Sequence, residues 1–87
     1  MSMVDVVMYT TGVCPYCVRA RKLLDKKGVK YTEIRVDHDP SQWPEMEQRS
    51  GRSTVPQIFI GEFHVGGFDD LSELDLEGKL DPLLGLA

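Results

Sequence analysis

The stretch Val4-Asp5-Val6-Val7-Met8-Tyr9-Thr10-Thr11-Gly12-Val13-Cys14-Pro15-Tyr16-Cys17 decides how the chain is read. Val4–Tyr9 is short, rich in β-branched residues and nearly continuously apolar, which is the pattern of a central strand covered on both faces. Thr10-Thr11-Gly12 is a turn signal. A helix is expected to begin close to Cys14, because Pro15 fits a first helical turn, where a missing N–H is no loss. Cys14 then stands at or next to the N-cap and Cys17 one turn inside. They are the only cysteines in the chain, so any redox or metal device built on sulfur is here.

Working outward, Cys17, Ala20, Leu23 and Leu24 recur at helical spacing with basic residues on the other face, and Lys26-Lys27-Gly28 supplies cations and a glycine stop. Lys30–Val36 alternates and reads as a second strand, so the first forty residues predict a right-handed βαβ unit with parallel strands. Asp39-Pro40-Ser41 opens a second helix capped by Ser41, with Trp43 and Met46 toward the core, Pro44 tolerated in the first turn and Gly51 at its end. Gln57–Ile60 and Glu62–Val65 flank Gly61 as a tight antiparallel pair, and Gly66-Gly67 breaks the second strand. Asp70-Leu71-Ser72-Glu73 has capping-box spacing, with Asp70 as the cap of a last helix striped by Leu71 and Leu74. Leu76, Leu80, Leu83, Leu84 and Leu86 make the C-terminal end apolar at helical or near-helical intervals, and most of them read as covers for the core. The expected order is β-α-β-α-β-β-α: an α/β chain with a four-stranded mixed sheet flanked by three helices, one domain over residues 1–87.

An 87-residue chain that is 41% apolar has room for one modest core. Its formal net charge of -4 speaks against general nucleic-acid binding. The charge is also unevenly placed: Arg19, Arg21, Lys22, Lys26, Lys27 and Lys30 crowd the first helix region, while Asp69, Asp70, Glu73, Asp75, Glu77 and Asp81 crowd the C-terminal part. Such a dipolar surface suits small anionic thiols or acidic partners as well as solubility. The start, Met1-Ser2-Met3-Val4-Asp5, lacks the basic region and long apolar run of a secretory signal, and no apolar run reaches membrane-spanning length. A cytoplasmic protein without a membrane partner is expected, in a compartment where a cysteine pair is seldom a permanent staple.

A thiolate attacks disulfides and a thiol essentially does not. An ordinary cysteine, with a pKa of about 8.5, is mostly protonated at neutral pH, whereas one at a helix N-terminus beside basic groups can fall to about 3.5–7.5. Cys14 lies where unpaired N–H groups point, and Cys17 is close enough to close a disulfide and more shielded. That asymmetry makes Cys14 the candidate nucleophile and Cys17 the resolving thiol, with Tyr16 covering one side of the pair or lining a groove. The rival reading is a zinc site completed by His38 and His64, but the spacing matches no common zinc pattern. A second informative segment is Ser53-Thr54-Val55-Pro56-Gln57. A cis Val55–Pro56 bond there would expose the Val55 backbone for pairing with an extended peptide; an ordinary strand-entry proline is the alternative. Gly66-Gly67-Phe68-Asp69-Asp70 offers backbone donors to a carboxylate at a helix start, and the Asp70 carboxylate could receive an ammonium group.

The motifs YTxxxCPYC at Tyr9–Cys17, RSGRSTVPQIFI at Arg49–Ile60, GGFDDL at Gly66–Leu71 and LDPLL at Leu80–Leu84 together resemble the glutaredoxins, specifically the small bacterial dithiol class. The resemblance implies a thioredoxin-fold enzyme that uses glutathione as reducing co-substrate, without a tightly bound cofactor, to reduce protein disulfides and glutathione mixed disulfides. It implies that Cys14 forms the mixed disulfide with glutathione and Cys17 resolves protein disulfides. Tyr16, Thr54, Val55 and Pro56 would border the tripeptide, with Gly67, Phe68, Asp69 and Asp70 around its γ-glutamyl end. Disulfide-containing or glutathionylated proteins would be its partners, ribonucleotide reductase among them, and the chain would act as a monomer. Two other roles use the same residues: a dimeric iron–sulfur scaffold ligated by Cys14 and glutathione, and an electron donor recharged by a flavin reductase. The sequence departs from the family at Thr11, where a lysine is frequent. Arg19, Arg52 and Gln57 are the residues available to compensate.

Overall fold

Strand β1 (Val6–Thr10) is paired on both edges and covered on both faces in the computed structural model, which describes residues 4–86. Around it run helix α1 (Pro15–Lys26), strand β2 (Thr32–Arg35), helix α2 (Gln42–Ser50), strands β3 (Gln57–Ile60) and β4 (Phe63–Gly66), and helices α3 (Phe68–Leu76) and α4 (Leu80–Leu83). The sheet order is β2-β1-β3-β4, with β1 and β2 parallel and the other pairs antiparallel. This is the thioredoxin-fold topology, in the order the sequence predicts, with one short helix added at the end. The reading of residues 1–3 as lacking a secretory signal lies outside the described residues. No helix among the described residues is long and apolar enough to cross a membrane.

The alternation of β1 divides the core. Val6 and Met8 point to one face, where they meet Ala20 and Leu24 of α1, Leu71 of α3, and Leu80 and Leu84 at the C-terminal end. Tyr9 points to the other, where it packs with Phe59, Val36 and Met46 of α2. A strand buried on both sides explains why Val4–Tyr9 reads as a continuous apolar run. The structure trims the expected boundaries: β1 begins at Val6 and runs to Thr10, β2 is confined to Thr32–Arg35, and β4 is displaced by one residue to Phe63–Gly66. Ser41 precedes α2 as expected but makes no side-chain cap; its hydroxyl and N–H both turn to Asp39 Oδ1, at 2.6 and 3.2 Å.

Two corrections concern the C-terminal third. Helix α3 begins at Phe68 behind Gly67, so Asp70 is its third residue rather than its cap. The spacing to Glu73 is therefore not the functional one. Leu80 and Leu83 lie in α4, with Pro82 in its first turn, and Leu84 follows as its C-cap; Leu80 and Leu84 are buried, while Leu76 and Leu86 are exposed rather than covering the core. Lys27 at the end of α1 holds this addition in place, its Nζ 2.6 Å from Asp75 Oδ1 and 2.8 Å from Asp81 Oδ1.

A polar tie crosses beneath α1. The buried Thr10 hydroxyl donates to Glu33 Oε2 at 2.6 Å, and Arg21 donates to the same oxygen from Nε and Nη2 at 2.9 and 2.6 Å. Arg21, with Thr10 in support, holds the Glu33 carboxyl below the usual carboxylate range. A carboxyl whose folded pKa lies below its unfolded value stabilises the fold above the unfolded pKa, about 4.3, and loses that contribution as pH falls through the folded value. Urea unfolding should therefore show Glu33→Gln less stable than the parent at pH 7. The two midpoints should converge as pH is lowered below about 4 and through the folded value, where both side chains are uncharged.

Candidate active site

Pro15 occupies the first position of α1, which leaves Cys14 extended (φ -152°, ψ 100°) as the N-cap. A helix start carries N–H groups without intrahelical acceptors, and here one of them meets sulfur: Cys17 N–H donates to Cys14 Sγ at 3.1 Å. The same geometry, at the positive end of the helix dipole, favours a thiolate at Cys14 when the pair is reduced. The two sulfurs are joined in a disulfide, with Cα atoms 5.1 Å apart. Their exposures differ in the expected direction. Cys17 is sealed at 0% and Cys14, at 9%, retains a small opening. The flanking residues Val13 and Tyr16 are exposed, with the Arg19 guanidinium 5.3 Å from the centre of the Tyr16 ring.

The Val55–Pro56 peptide bond is cis. It lies in the loop entering β3 and brings the Val55 carbonyl oxygen to 3.8 Å from Cys14 Sγ. From there an open cavity of about 200 Å³ runs toward the start of α3. Its walls gather every groove residue expected from the sequence: Tyr16 from α1, Thr54, Val55 and Pro56 from the loop, and Gly67, Phe68, Asp69 and Asp70 at the α3 terminus. Arg52 and Gln57 line it as well, while Arg19 remains outside against Tyr16.

At the far end, the Asp70 carboxylate reaches back from within the helix. Its Oδ2 accepts the Gly67 N–H at 3.0 Å and the Arg52 Nη1–H at 3.1 Å. The Gly67 bond first, and Arg52 after it, hold the Asp70 carboxyl below its ordinary range. Gly66 makes this approach possible. Its φ is 112°, and a Cβ there would collide with the Asp70 carboxylate. The register between β3 and β4 slips at the same place, from Phe59↔His64 to Ile58↔Gly66, leaving one extra β4 residue just before the glycine pair.

The turn before Cys14 is fastened by residues that the sequence reading did not single out. Gly12 N–H donates to Asp37 Oδ2 at 2.9 Å, and Arg35 grips both Asp37 oxygens at 2.9 and 2.8 Å. Arg35 first, then the Gly12 bond, hold the Asp37 carboxyl far below its usual range. A Cβ on Gly12 would run into the Arg35 guanidinium. A cation thus stands beside the loop whose Thr11 lacks one, but it is already paired. The available signal was the Arg35-x-Asp37 spacing at a strand end. The two histidines do not join the cysteines: His38 Nε2 lies 3.2 Å from Arg35 Nη2, and His64 Nε2 lies 2.7 Å from Gln57 Oε1. Among the described residues no three His, Cys, Asp or Glu side chains converge in a metal-binding arrangement.

Comparison with known proteins agrees on one family. The glutaredoxin family model matches residues 6–65. A glutaredoxin from Pseudomonas aeruginosa is 55% identical over 82 residues, covering 94% of this chain and 98% of that protein. Among solved structures, the solution structure of glutaredoxin from Brucella melitensis superposes with a TM-score of 0.86 at 56% identity, covering 99% of this chain and 94% of that one. The crystal structure of a buckwheat glutaredoxin–glutathione complex gives a TM-score of 0.86 at 36% identity, covering 92% of this chain and 76% of that one.

The close approach at Gly66 is open to a direct test. Gly66→Ala forces a side chain into a left-handed backbone position and against Asp70, and should cost about 1–3 kcal/mol of stability, read as a lowered urea midpoint with an unchanged slope.

Proposed function

The chain belongs to the glutaredoxin family and is a glutathione-dependent thiol-disulfide oxidoreductase of the dithiol type, and we propose that Cys14 is its nucleophile, Cys17 its resolving thiol, and the cavity between the cis-proline loop and α3 its glutathione groove. One observation supports the assignment above the rest. The Cys14 sulfur caps α1, accepts a backbone N–H at 3.1 Å, and is the one of the pair with an opening to solvent, beside the Val55 backbone that begins the groove.

With a glutathionylated protein, the Cys14 thiolate attacks the glutathione sulfur. The protein–glutathione S–S bond breaks, the Cys14–glutathione bond forms, and the protein thiolate leaves to take a proton from solvent. A second glutathione, as thiolate, attacks the glutathione sulfur on Cys14, which releases oxidised glutathione and returns the Cys14 thiolate. With a protein disulfide, the Cys14 thiolate attacks one substrate sulfur, which breaks the substrate S–S bond and releases the other sulfur as a thiolate that takes a proton from solvent. Cys17, as a thiolate, then attacks Cys14 Sγ, which frees the substrate's second thiol and leaves the Cys14–Cys17 disulfide; two glutathiones later reduce it.

In the groove, Val55 offers its backbone to the extended tripeptide beside Thr54, cis Pro56 and Tyr16. The N–H groups at the start of α3, around Gly67, Phe68 and Asp69, suit the γ-glutamyl carboxylate. The Asp70 carboxylate, ionised at neutral pH, suits its ammonium. We extend the reading to residues 1–87 acting as one monomeric domain in the cytoplasm on disulfide-bearing or glutathionylated proteins, with ribonucleotide reductase a candidate from family resemblance.

The unequal roles of the sulfurs set the test. Cys14→Ser should abolish reduction of both a glutathionylated peptide and a protein disulfide. Cys17→Ser should keep the first activity and lose most of the second. A Cys14→Ser protein that still reduces the glutathionylated peptide in the presence of glutathione overturns the assignment.

A further inference from the structure

His64 lies behind the groove wall and none of the steps above employs it. It stands opposite Phe59 in the β3–β4 ladder and stacks on that ring, with centroids 4.9 Å apart and planes 28° from parallel. Its Nε2 is 2.7 Å from Gln57 Oε1, and Gln57 in turn donates from Nε2 to Thr54 Oγ1 at 3.2 Å. Gln57 is almost fully buried, at 1% exposure, so its amide needs partners. Both Gln57 and Thr54 line the cavity.

The amide orientation and the ring tautomer are linked. An amide oxygen only accepts, so with Gln57 Oε1 turned to the ring the contact is a hydrogen bond when Nε2 carries the proton. Burial first, and the nearby Arg52 charge second, push the His64 pKa below its ordinary value, so the ring is neutral at pH 7 and has a single proton to place. The arrangement with Gln57 Oε1 toward the ring places that proton on Nε2. With its oxygen engaged by His64, the Gln57 amide must turn its NH2 group toward Thr54. One N–H is used there, which leaves the second to point along the cavity that Gln57 lines.

We propose that His64 is a positioning residue for ligand binding: by donating to Gln57 Oε1 it fixes the amide so that the Gln57 NH2 group and the Thr54 hydroxyl present their donors to an anionic group of glutathione. This rests on the groove being the glutathione site. Without the His64 proton the amide is free to turn over, which would put an acceptor where an anion requires a donor. Substrate binding suffers in that case, while Cys14 and its cap are untouched.

The experiment is steady-state kinetics with a glutathionylated peptide and glutathione on the parent, His64→Phe, His64→Gln, Gln57→Leu and the double variant that combines Gln57→Leu with His64→Phe. His64→Phe keeps an aromatic ring on Phe59 and deletes the donor; it should raise KM roughly 3- to 10-fold with kcat within about twofold. His64→Gln restores an N–H donor at similar reach and should bring KM back toward the parent. In the Gln57→Leu background, His64→Phe should add nothing. An unchanged KM in His64→Phe, a matching fall in kcat, no rescue by His64→Gln, or an additive effect without Gln57 each overturns the inference. Should His64→Phe not fold, nitrogen NMR of the parent protein decides: a neutral ring protonated on Nε2 supports the relay, and one protonated on Nδ1 sinks it. An inactive parent would overturn the functional reading and this inference together, whereas an active parent indifferent to His64 overturns the inference alone.

Discussion

Strand β1 has neither a free edge nor a free face, and most of the molecule follows from that constraint. Backbone groups buried on both sides must be paired, so β2 and β3 are obligatory neighbours. Side chains alternating to both faces need cover, so α1, α3 and α4 close one side and α2 the other. The turn leaving β1 has only a few residues before α1 must pack back on Val6 and Met8 through Ala20 and Leu24. That short turn carries the cysteine pair to the rim of the sheet, with one sulfur buried under the helix and the other at its mouth.

The candidate site is accordingly a seam between three segments that are distant in sequence. Helix α1 supplies the sulfurs, the loop entering β3 supplies an extended backbone beside Cys14, and the β4–α3 junction supplies the far wall. Polar ties fasten both ends of the seam. Gly12, Asp37 and Arg35 fasten the turn before Cys14. Asp70 fastens Gly67 and Arg52 at the opposite end. The Arg52–Asp70 pair is half exposed, so in water it contributes more to placement than to stability.

Local pattern made much of this legible. The apolar run of β1, Pro15 after Cys14, the helical spacing of Cys17, Ala20 and Leu24, and the Gly61 hairpin each carry their own signal within a few residues, and the element order follows from them. The residues that the structure gathers around one cavity stand out in the sequence through the TVP and GGFDD motifs. Boundaries were less so, since Val4 and Lys30 continue an apolar or alternating pattern past the last ladder partner. The role of Asp70 escapes the local pattern because capping-box spacing forward to Glu73 and backward to Gly67 look alike in one dimension. Only the position of Phe68 in the first turn separates them.

The sequence by itself therefore determined what chemistry is present and where along the chain it sits: one cysteine pair at a helix entrance, a proline before a strand, and a glycine pair before a helix. Each is a property of neighbouring residues. The tertiary structure alone decided which groups face one another across long separations: Val55 beside Cys14, Arg35 and Asp37 behind Gly12, and His64 behind Gln57 and Thr54. Those contacts depend on the strand order β2-β1-β3-β4 and on a one-residue slip in the β3–β4 ladder, which arise from packing the whole sheet and leave no periodic trace in any one segment.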